Sequence, residues 1–503
     1  MYKVGLYTLG CKVSSYETEA VAEEFSRRGF LVRDFSEVCD VYVINTCTVT
    51  AESDAKSRKY IRRAIRKNPE GLVLVMGCYS QRAPEEVSAI EGVAAVVGTA
   101  DKLSLVPIAE RLLREKEAKM CDTGAAFSVE TFEKCDEMQP PSEEKLSGGD
   151  RSCAHIAAER SGGDGSKSQA EDNSYDGDTK AAPTAEKLPI VNVGSLDGAT
   201  FEKMCIEHAP RTRGYVKIED GCECKCTYCA IAAARGPVRS KLPEEVIAEV
   251  KGLYSRGTRE VVLTGIETGS YGADFDEEYT LSDLLCELDR IGACDRIRLG
   301  SMAPELIGEK FITKVKDLKI LVPHFHVSMQ SGSSSVLKGM KRRYTRERAL
   351  ENLTRIREYI PDVTFTADLM VGFPGESEED FLETVSFVRE AELLDAHVFA
   401  YSKREGTPAA QRADQVPEDV KHDRSARLIA VKNEVRDGVL SGIVKSGRPL
   451  SVVFETKRGR LYTGHSDSYV EVVCEAMRDV RGEICEVIPT SFNDGKIVGI
   501  LKE

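Results

Sequence analysis

Twice along this chain, short apolar runs of strand length alternate with stretches patterned as helices. That alternation confines the fold to parallel sheets covered by helices. In the first series, strands are expected over residues 4–10, 30–35, 41–46 and 72–77, with helices over 16–28 and 54–67. The run at 72–77, Leu-Val-Leu-Val-Met-Gly, is continuously apolar, as a strand buried on both faces requires. The second series holds six strand–helix units, with strands expected over 213–218, 260–264, 296–300, 324–329, 363–371 and 396–401. Six such units in a row point to a parallel, barrel-like sheet. The fold class is therefore α/β: an open parallel N-terminal sheet, a central partial (β/α)6 barrel, and a small C-terminal β-barrel. Short runs at 451–456, 461–465, 469–474, 482–490 and 496–501 supply the last.

Between the two series the chain turns polar, rich in Gly, Ser, Asp and Glu, and reads as a disordered connection over 139–195. The expected domains are thus 1–138, 205–437 and 440–503. A net charge of −14 excludes a protein that coats nucleic acid by bulk electrostatics. Local basic patches remain available, because salt screens charge beyond about 8–10 Å. No run reaches the roughly 18 apolar residues of a membrane span. The N-terminus opens on a strand rather than a basic-then-apolar leader, so a cytoplasmic location away from membranes is expected. Sixteen cysteines then read as reduced thiols, available for metal or catalysis.

Four of those thiols crowd one loop after the first strand of the second series, in Gly221-Cys222-Glu223-Cys224-Lys225-Cys226-Thr227-Tyr228-Cys229. Cys222, Cys226 and Cys229 stand in C-x3-C-x2-C spacing, and three thiolates on one short loop can hold three irons of a 4Fe–4S cluster. The fourth iron stays open and can chelate the amino and carboxylate groups of S-adenosylmethionine (SAM). An electron passed to the sulfonium then breaks a C–S bond and yields a 5′-deoxyadenosyl radical. A zinc site is the competing reading, but zinc usually pairs two knuckles a dozen or more residues apart. Cys224 is surplus and is expected not to be a ligand. In the first series Cys11, Cys47 and Cys78 each follow a strand, so in an open parallel sheet they would meet at one edge. A second cluster there competes with three separately buried small side chains. Other cysteines, such as Cys39 and Cys474, are taken as structural.

At this point the chain resembles the methylthiotransferase branch of the radical SAM superfamily. The carriers are LGCKVSSYETEA (9–20), INTCTVT (44–50), MGCYSQR (76–82), KIEDGCECKCTYC (217–229), ARGPVRS (234–240), LTGIETGSYG (263–272), RIRLGSMAPE (296–305), HFHVSMQSGSSSVLKGMKRRYT (324–345), DLMVGFPGESEEDF (368–381) and HVFAYSKREGTPAA (397–410). The resemblance implies two 4Fe–4S clusters, on Cys11, Cys47 and Cys78 and on Cys222, Cys226 and Cys229, and two SAM molecules. One SAM methylates a sulfide on the first cluster, and the other gives the radical that opens the substrate carbon to sulfur insertion. It also implies a tRNA substrate, a C-terminal RNA-binding barrel, and an electron donor such as flavodoxin or ferredoxin. ARGPVRS and HVFAYSKREGTPAA are most similar to enzymes acting on N6-threonylcarbamoyladenosine beside the anticodon. Two positions depart from the family: Ala232–Ala234 where Ile-Pro-Tyr is common, and Ala303 where Glu is common.

Around this frame, Tyr228 is expected near the adenine of SAM. Thr264, Gly265 and Glu267 after the second barrel strand, with Ser301 and Gln330 at later strand ends, are expected to face the same mouth. Arg58, Arg62 and Arg66 recur on one helical face and suit tRNA phosphates. Lys341, Arg342 and Arg343, and Lys457, Arg458 and Arg460 beside Tyr462, form two further basic spots for RNA. A packed or solvated role competes at each of these positions. The alternatives for the whole chain are a methylthiotransferase for isopentenyladenosine or for a ribosomal protein, a two-cluster electron carrier or redox sensor, and an RNA-binding protein with structural zinc.

Overall fold

The computed structural model describes residues 1–122 and 188–502. Residues 123–187, and with them most of the polar connection expected at 139–195, lie outside the described residues.

Six parallel strands form the N-terminal sheet: β1 (Lys3–Thr8), β2 (Leu31–Arg33), β3 (Val41–Thr46), β4 (Leu72–Gly77), β5 (Val93–Val97) and β6 (Ile190–Asn192). Their spatial order is β2-β1-β3-β4-β5-β6. Every residue of β3 is buried, so this β-branched run forms the centre of the sheet. Helix α1 (Lys12–Arg27) follows β1 and helix α2 (Ala51–Lys67) follows β3. Because β1 is flanked by β2 on one side and β3 on the other, the order reverses there, which opens a crevice at the carboxyl ends of the strands. The sheet also corrects one boundary. Residues 190–192, expected within the polar connection, pair with β5 from Ala95↔Ile190 to Val97↔Asn192 and close the edge of the sheet.

The central strands are β7 (Arg213–Lys217), β8 (Glu219–Asp220), β9 (Arg239–Ser240), β10 (Glu260–Thr264), β11 (Arg296–Leu299), β12 (Ser301–Met302), β13 (His324–Gln330), β14 (Thr364–Val371) and β15 (Asp395–Ala400). They pair as β11-β10-β7 and as β12-β13-β14-β15, all parallel, while β8 and β9 form a small antiparallel ribbon. β11 and β12 are one strand bent at Gly300, where a side chain would press within 2.6 Å of Thr268 Oγ1. That bend turns the two sheets into one curved wall with neighbours in sequence order, the partial barrel expected from the sequence.

A helix of 29 residues, Glu418–Ser446, then leads to the C-terminal barrel. There β16 (Leu450–Arg458), β17 (Leu461–Ser466), β18 (Glu471–Glu475), β19 (Ile484–Asn493) and β20 (Lys496–Leu501) close in the order β16-β17-β18-β20-β19. This barrel caps the amino-terminal ends of the central strands. Arg298 donates to the carbonyls of Ser466 and Asp467 (3.0 and 2.9 Å), and the Tyr469 ring stacks on His324 at 4.5 Å. The N-terminal domain covers the lateral gap between β7 and β15. α1 packs on β7, and Arg404, past β15, donates to Thr48 and Asp54 at 2.7 Å each.

Candidate active site

The β8–β9 ribbon brackets the loop that carries Cys222, Cys226 and Cys229. Gly221 enters it with φ +92, and a Cβ there would sit 1.9 Å from the carbonyl oxygen of Pro237. Only glycine fits that approach. Cys222 N–H donates to Gly236 O at 3.0 Å, Thr227 N–H to Met340 O at 3.1 Å, and Ala409 N–H to Thr227 O at 2.9 Å. The loop is thus pinned to three separate segments at the barrel mouth. Backbone N–H groups reach the sulfurs, from Cys224 to Cys222 Sγ (3.4 Å) and from Ile231 to Cys229 Sγ (3.3 Å), as expected around thiolates. Arg342 Nη1 donates to Cys226 Sγ at 3.4 Å. A hydrogen bond between the side chains of Cys222 and Cys224 raises the first thiol and lowers the second to about 6, while burial raises Cys229.

Cys11, Cys47 and Cys78 meet at the carboxyl edge of the N-terminal sheet, past adjacent strands β1, β3 and β4. A Cβ on Gly10, which has φ +124, would lie 3.3 Å from Cys47 Cβ, so the first two loops touch. Cys11 is the N-cap of α1, at the positive end of a 16-residue helix. Gly77, φ +105, precedes Cys78, and a Cβ there would be 2.4 Å from Asn45 Oδ1. Burial raises the Cys47 thiol, and pushes Cys78 up to about 12 against the pull of Arg235. Each of these two thiols also feels Cys11, which places all three within one electrostatic neighbourhood.

The donor chemistry in both places fits an iron–sulfur cluster. A cluster spreads its thiolate ligands over the corners of a cube, whereas a zinc ion draws four to one point. Among the described residues no three His, Cys, Asp or Glu side chains converge as a single ion requires. The segments that carry the two cysteine sets pack against each other. Arg235, on the helix Ile231–Arg235 after the barrel loop, donates from Nε to Cys78 Sγ at 3.1 Å. Thr99, past β5, donates to Ala234 O at 2.7 Å.

The strand-end residues of the barrel are tightly held. Thr264 is buried, and Gly265 has no room for a side chain because the Glu219 carboxylate would lie 2.4 Å from its Cβ. Glu267 is buried rather than a solvated loop charge. Its Oε1 accepts the Ala303 N–H at 3.0 Å, and burial raises it to about 7. Ser301 is half-buried on β12, and Gln330 ends β13 with φ +66, a left-handed conformation that a non-glycine residue holds only under constraint. Tyr228 packs edge-on against Phe373 at 6.5 Å, so one edge of its ring belongs to the core. The sequence reading missed Glu219, wholly buried, with Oε1 unpaired and its carboxyl raised by burial. It also missed the polar lumen. His326 Nε2 stands 3.2 Å from Asp368, His397 lies beside them with ring centroids 6.4 Å apart, and Thr366 bonds His326 at 2.8 Å. Lys12, next to Cys11, shares this neighbourhood with Asp368; burial lowers its pKa.

Among the basic residues, Arg62 and Arg66 are exposed, while Arg58 turns to Tyr79 OH at 2.8 Å and overlies its ring. Lys341 and Arg343 are exposed, but Arg342 faces inward, since its other nitrogens are held by Ser328 O and Tyr344 OH, both at 2.9 Å. Arg458 and Arg460 stand on the exposed turn between β16 and β17, and Lys457 lies over Tyr462. The Tyr462 ring itself is 1% exposed, because strand alternation points it into the barrel, so it offers no face to a base. A separate cavity of about 970 Å³ opens beside α1, β1 and residues 207–211, and none of the six cysteines lines it.

The radical SAM superfamily model matches residues 216–388, which include Cys222, Cys226 and Cys229. The model of uncharacterized protein family UPF0004 matches residues 3–98, which include Cys11, Cys47 and Cys78. Over 513 aligned residues the chain is 36% identical to the threonylcarbamoyladenosine tRNA methylthiotransferase MtaB of Bacillus subtilis (strain 168), covering 100% of this chain and 98% of that protein. The chain belongs to the radical SAM methylthiotransferase family. As a methylthiotransferase of this superfamily it is an enzyme that uses SAM and a 4Fe–4S cluster. It is also 29% identical over 507 residues to the tRNA-2-methylthio-N(6)-dimethylallyladenosine synthase of Desulfitobacterium hafniense (strain Y51), covering 99% of this chain and 97% of that protein. Its fold is similar to that of TsrM from Kitasatospora setae, a radical SAM methyltransferase solved with cobalamin and a 4Fe–4S cluster. The TM-score is 0.51 at 14% identity, over 82% of this chain and 77% of that one. Among the described residues no helix is long and apolar enough to cross a membrane.

Proposed function

We propose that this methylthiotransferase converts N6-threonylcarbamoyladenosine, next to the tRNA anticodon, to its 2-methylthio derivative, with two 4Fe–4S clusters. The observation that carries the substrate is the 36% identity to the Bacillus subtilis MtaB along the whole chain. Cys222, Cys226 and Cys229 would hold one cluster and Cys11, Cys47 and Cys78 the other. When bound, the clusters and SAM supply the radical and the methylated sulfur. The protein supplies geometry. The pinned loop fixes one cysteine set at the barrel mouth, and the N-terminal sheet edge brings the other set against it. Thr264, Gly265, Glu267, Ser301 and Gln330 at the strand ends, with Tyr228 beside Cys229, shape the pocket for SAM. The domain laid over the lateral gap between β7 and β15 shields the interior from water.

The lumen supports the same substrate. A threonylcarbamoyl substituent carries a carboxylate and a hydroxyl, which suit Lys12, His326, Asp368, His397 and Thr366 better than an apolar dimethylallyl group would. Arg62, Arg66, Lys341, Arg343, Arg458 and Arg460 offer exposed cations for tRNA phosphates. An electron donor such as flavodoxin or ferredoxin would supply the reducing electron, in the cytoplasm where tRNA resides. A second reading, action on dimethylallyladenosine, is favoured by the 42% identity over 235 residues to the synthase of Thermoanaerobacter pseudethanolicus, which spans 47% of this chain. The test is mass spectrometry of tRNA nucleosides from cells lacking their own methylthiotransferases, with and without this chain. The 2-methylthio form of N6-threonylcarbamoyladenosine is expected. Appearance of the 2-methylthio form of dimethylallyladenosine alone would keep the chemistry and replace the substrate.

A further inference from the structure

Arg235 belongs to both halves of the site. Its backbone lies six residues past Cys229, while its wholly buried guanidinium reaches Cys78 of the other cysteine set. Nε donates to Cys78 Sγ at 3.1 Å, Nη2 to Glu17 Oε2 at 3.2 Å, and Nη1 is shared between Glu17 and Asp220. Around it lies a buried ion network. Lys217 bonds Glu17 (2.9 Å) and Asp220 (2.6 Å), Lys102 bonds Glu202 (2.8 Å) and reaches Glu17 (3.2 Å), and Arg239 reaches Asp220 (3.4 Å). Lys102, Lys217, Arg235 and Arg239 make their ion pairs with Glu17, Asp220 and Glu202, while the Glu219 carboxyl near Lys217 is raised by burial and joins none of these pairs. One cation is left over, and the group at which the spare donor points is the sulfur of Cys78. Buried charge in surplus is costly unless an anion answers it, and a sulfur bound to iron is that anion.

We propose that Arg235 is a positioning residue for the cluster of Cys11, Cys47 and Cys78, donating to the ligated sulfur of Cys78 and raising that cluster's reduction potential. This rests on the reading that those cysteines hold a cluster. Reduction adds negative charge to a cluster and its sulfurs, so a fixed donor and a full positive charge beside one sulfur favour the reduced form. Burial makes the contact strong, because no water can replace it. Glu17 and Asp220 hold the guanidinium fork from the other side, so its direction toward sulfur is set by the packing of α1 against the barrel loop. Lysine could keep the charge but not the fork.

The experiment uses the full chain with Cys222, Cys226 and Cys229 all replaced by alanine, so that only the N-terminal cluster can be loaded. Iron and sulfide are counted after anaerobic reconstitution, and the midpoint potential is followed by electron paramagnetic resonance, with Arg235 intact and in Arg235→Gln and Arg235→Lys. Iron should load in the parent, and the midpoint should move to lower potential in Arg235→Gln, with altered g values and a smaller shift in Arg235→Lys. An unchanged midpoint and spectrum in both loaded variants overturns the proposal. If Arg235→Gln does not fold or load, Arg235→Lys decides by the same criterion. A parent that takes up no iron removes the cluster reading itself, and this proposal with it.

Discussion

Glu19 shows what a single buried carboxyl does to this enzyme. It lies on α1 at 8% exposure, with Arg211 at 3.2 Å, yet its Oε1 has no hydrogen-bond partner. Burial therefore prevails over the arginine and raises the group from 4.5 to about 7. A raised carboxyl binds a proton in the folded state that the unfolded chain releases. Its stabilisation is full below about pH 4.5 and is lost as pH rises through about 7. Glu19→Gln keeps the neutral shape, so thermal unfolding should become flatter between pH 5 and 8. Above pH 7 the variant should gain up to about 3 kcal/mol over the parent. Parallel melting curves across that range would mean that Arg211 already satisfies the charge. At this scale the grouping of six cysteines into two sets was legible, because three thiols in tight spacing and three thiols each one step past a strand are patterns a sequence displays. Arg235 and Glu17 were not, because they lie 218 residues apart and nothing local marks either as the other's partner. Tyr462 was misjudged for a related reason: its proximity to Lys457 was visible, but its inward direction followed from strand register.

Among the elements, the strands were legible wherever an apolar run was continuous, as in β3 and β4, and the six barrel strands fall where expected. The short β6 was hidden because three residues after a polar stretch carry no pattern of their own; only the free edge of β5 explains it. The helix after the sixth barrel strand was expected without bounds, and its full extent, Glu418–Ser446, was hidden because few of its residues are buried and its sequence lacks a clear apolar stripe. The most demanding element is the cysteine loop itself, whose entry depends on Gly221. In Gly221→Ala the new methyl group meets Pro237 O at 1.9 Å in a backbone with φ +92. Relief requires the loop to shift away from residues 236–237, at a cost of about 2–4 kcal/mol. Iron bound by the barrel loop and SAM cleavage should both fall at least tenfold, with iron on Cys11, Cys47 and Cys78 retained. Full SAM cleavage in the variant would show that the loop does not need its present path.

At the scale of the molecule, the C-terminal barrel has two faces with different consequences. One closes the bottom of the central barrel: Arg298 bonds Ser466 and Asp467, Arg213 pairs with Glu455 at 3.3 Å, and Thr364 donates to Ser468 O. Removing residues 440–503 would uncover Arg298, Glu260 and His324, so the truncated enzyme would lose stability as well as any hold on RNA. Truncation is therefore a poor probe of substrate binding. The other face carries the exposed turn with Arg458 and Arg460, which make no ion pair among the described residues. If that turn meets tRNA phosphates, Arg458→Ala/Arg460→Ala should leave the melting temperature and SAM cleavage near the parent values, as surface changes usually do. The Michaelis constant for tRNA should rise several-fold, and the slope of log affinity against log salt should fall by about 1.4–1.8, roughly 0.7–0.9 for each lost phosphate contact. An unchanged slope with a changed affinity would place the turn outside the RNA interface. Arg62 and Arg66 of α2, with Lys341 and Arg343, would then be the exposed cations left for the negatively charged protein to meet its negatively charged substrate.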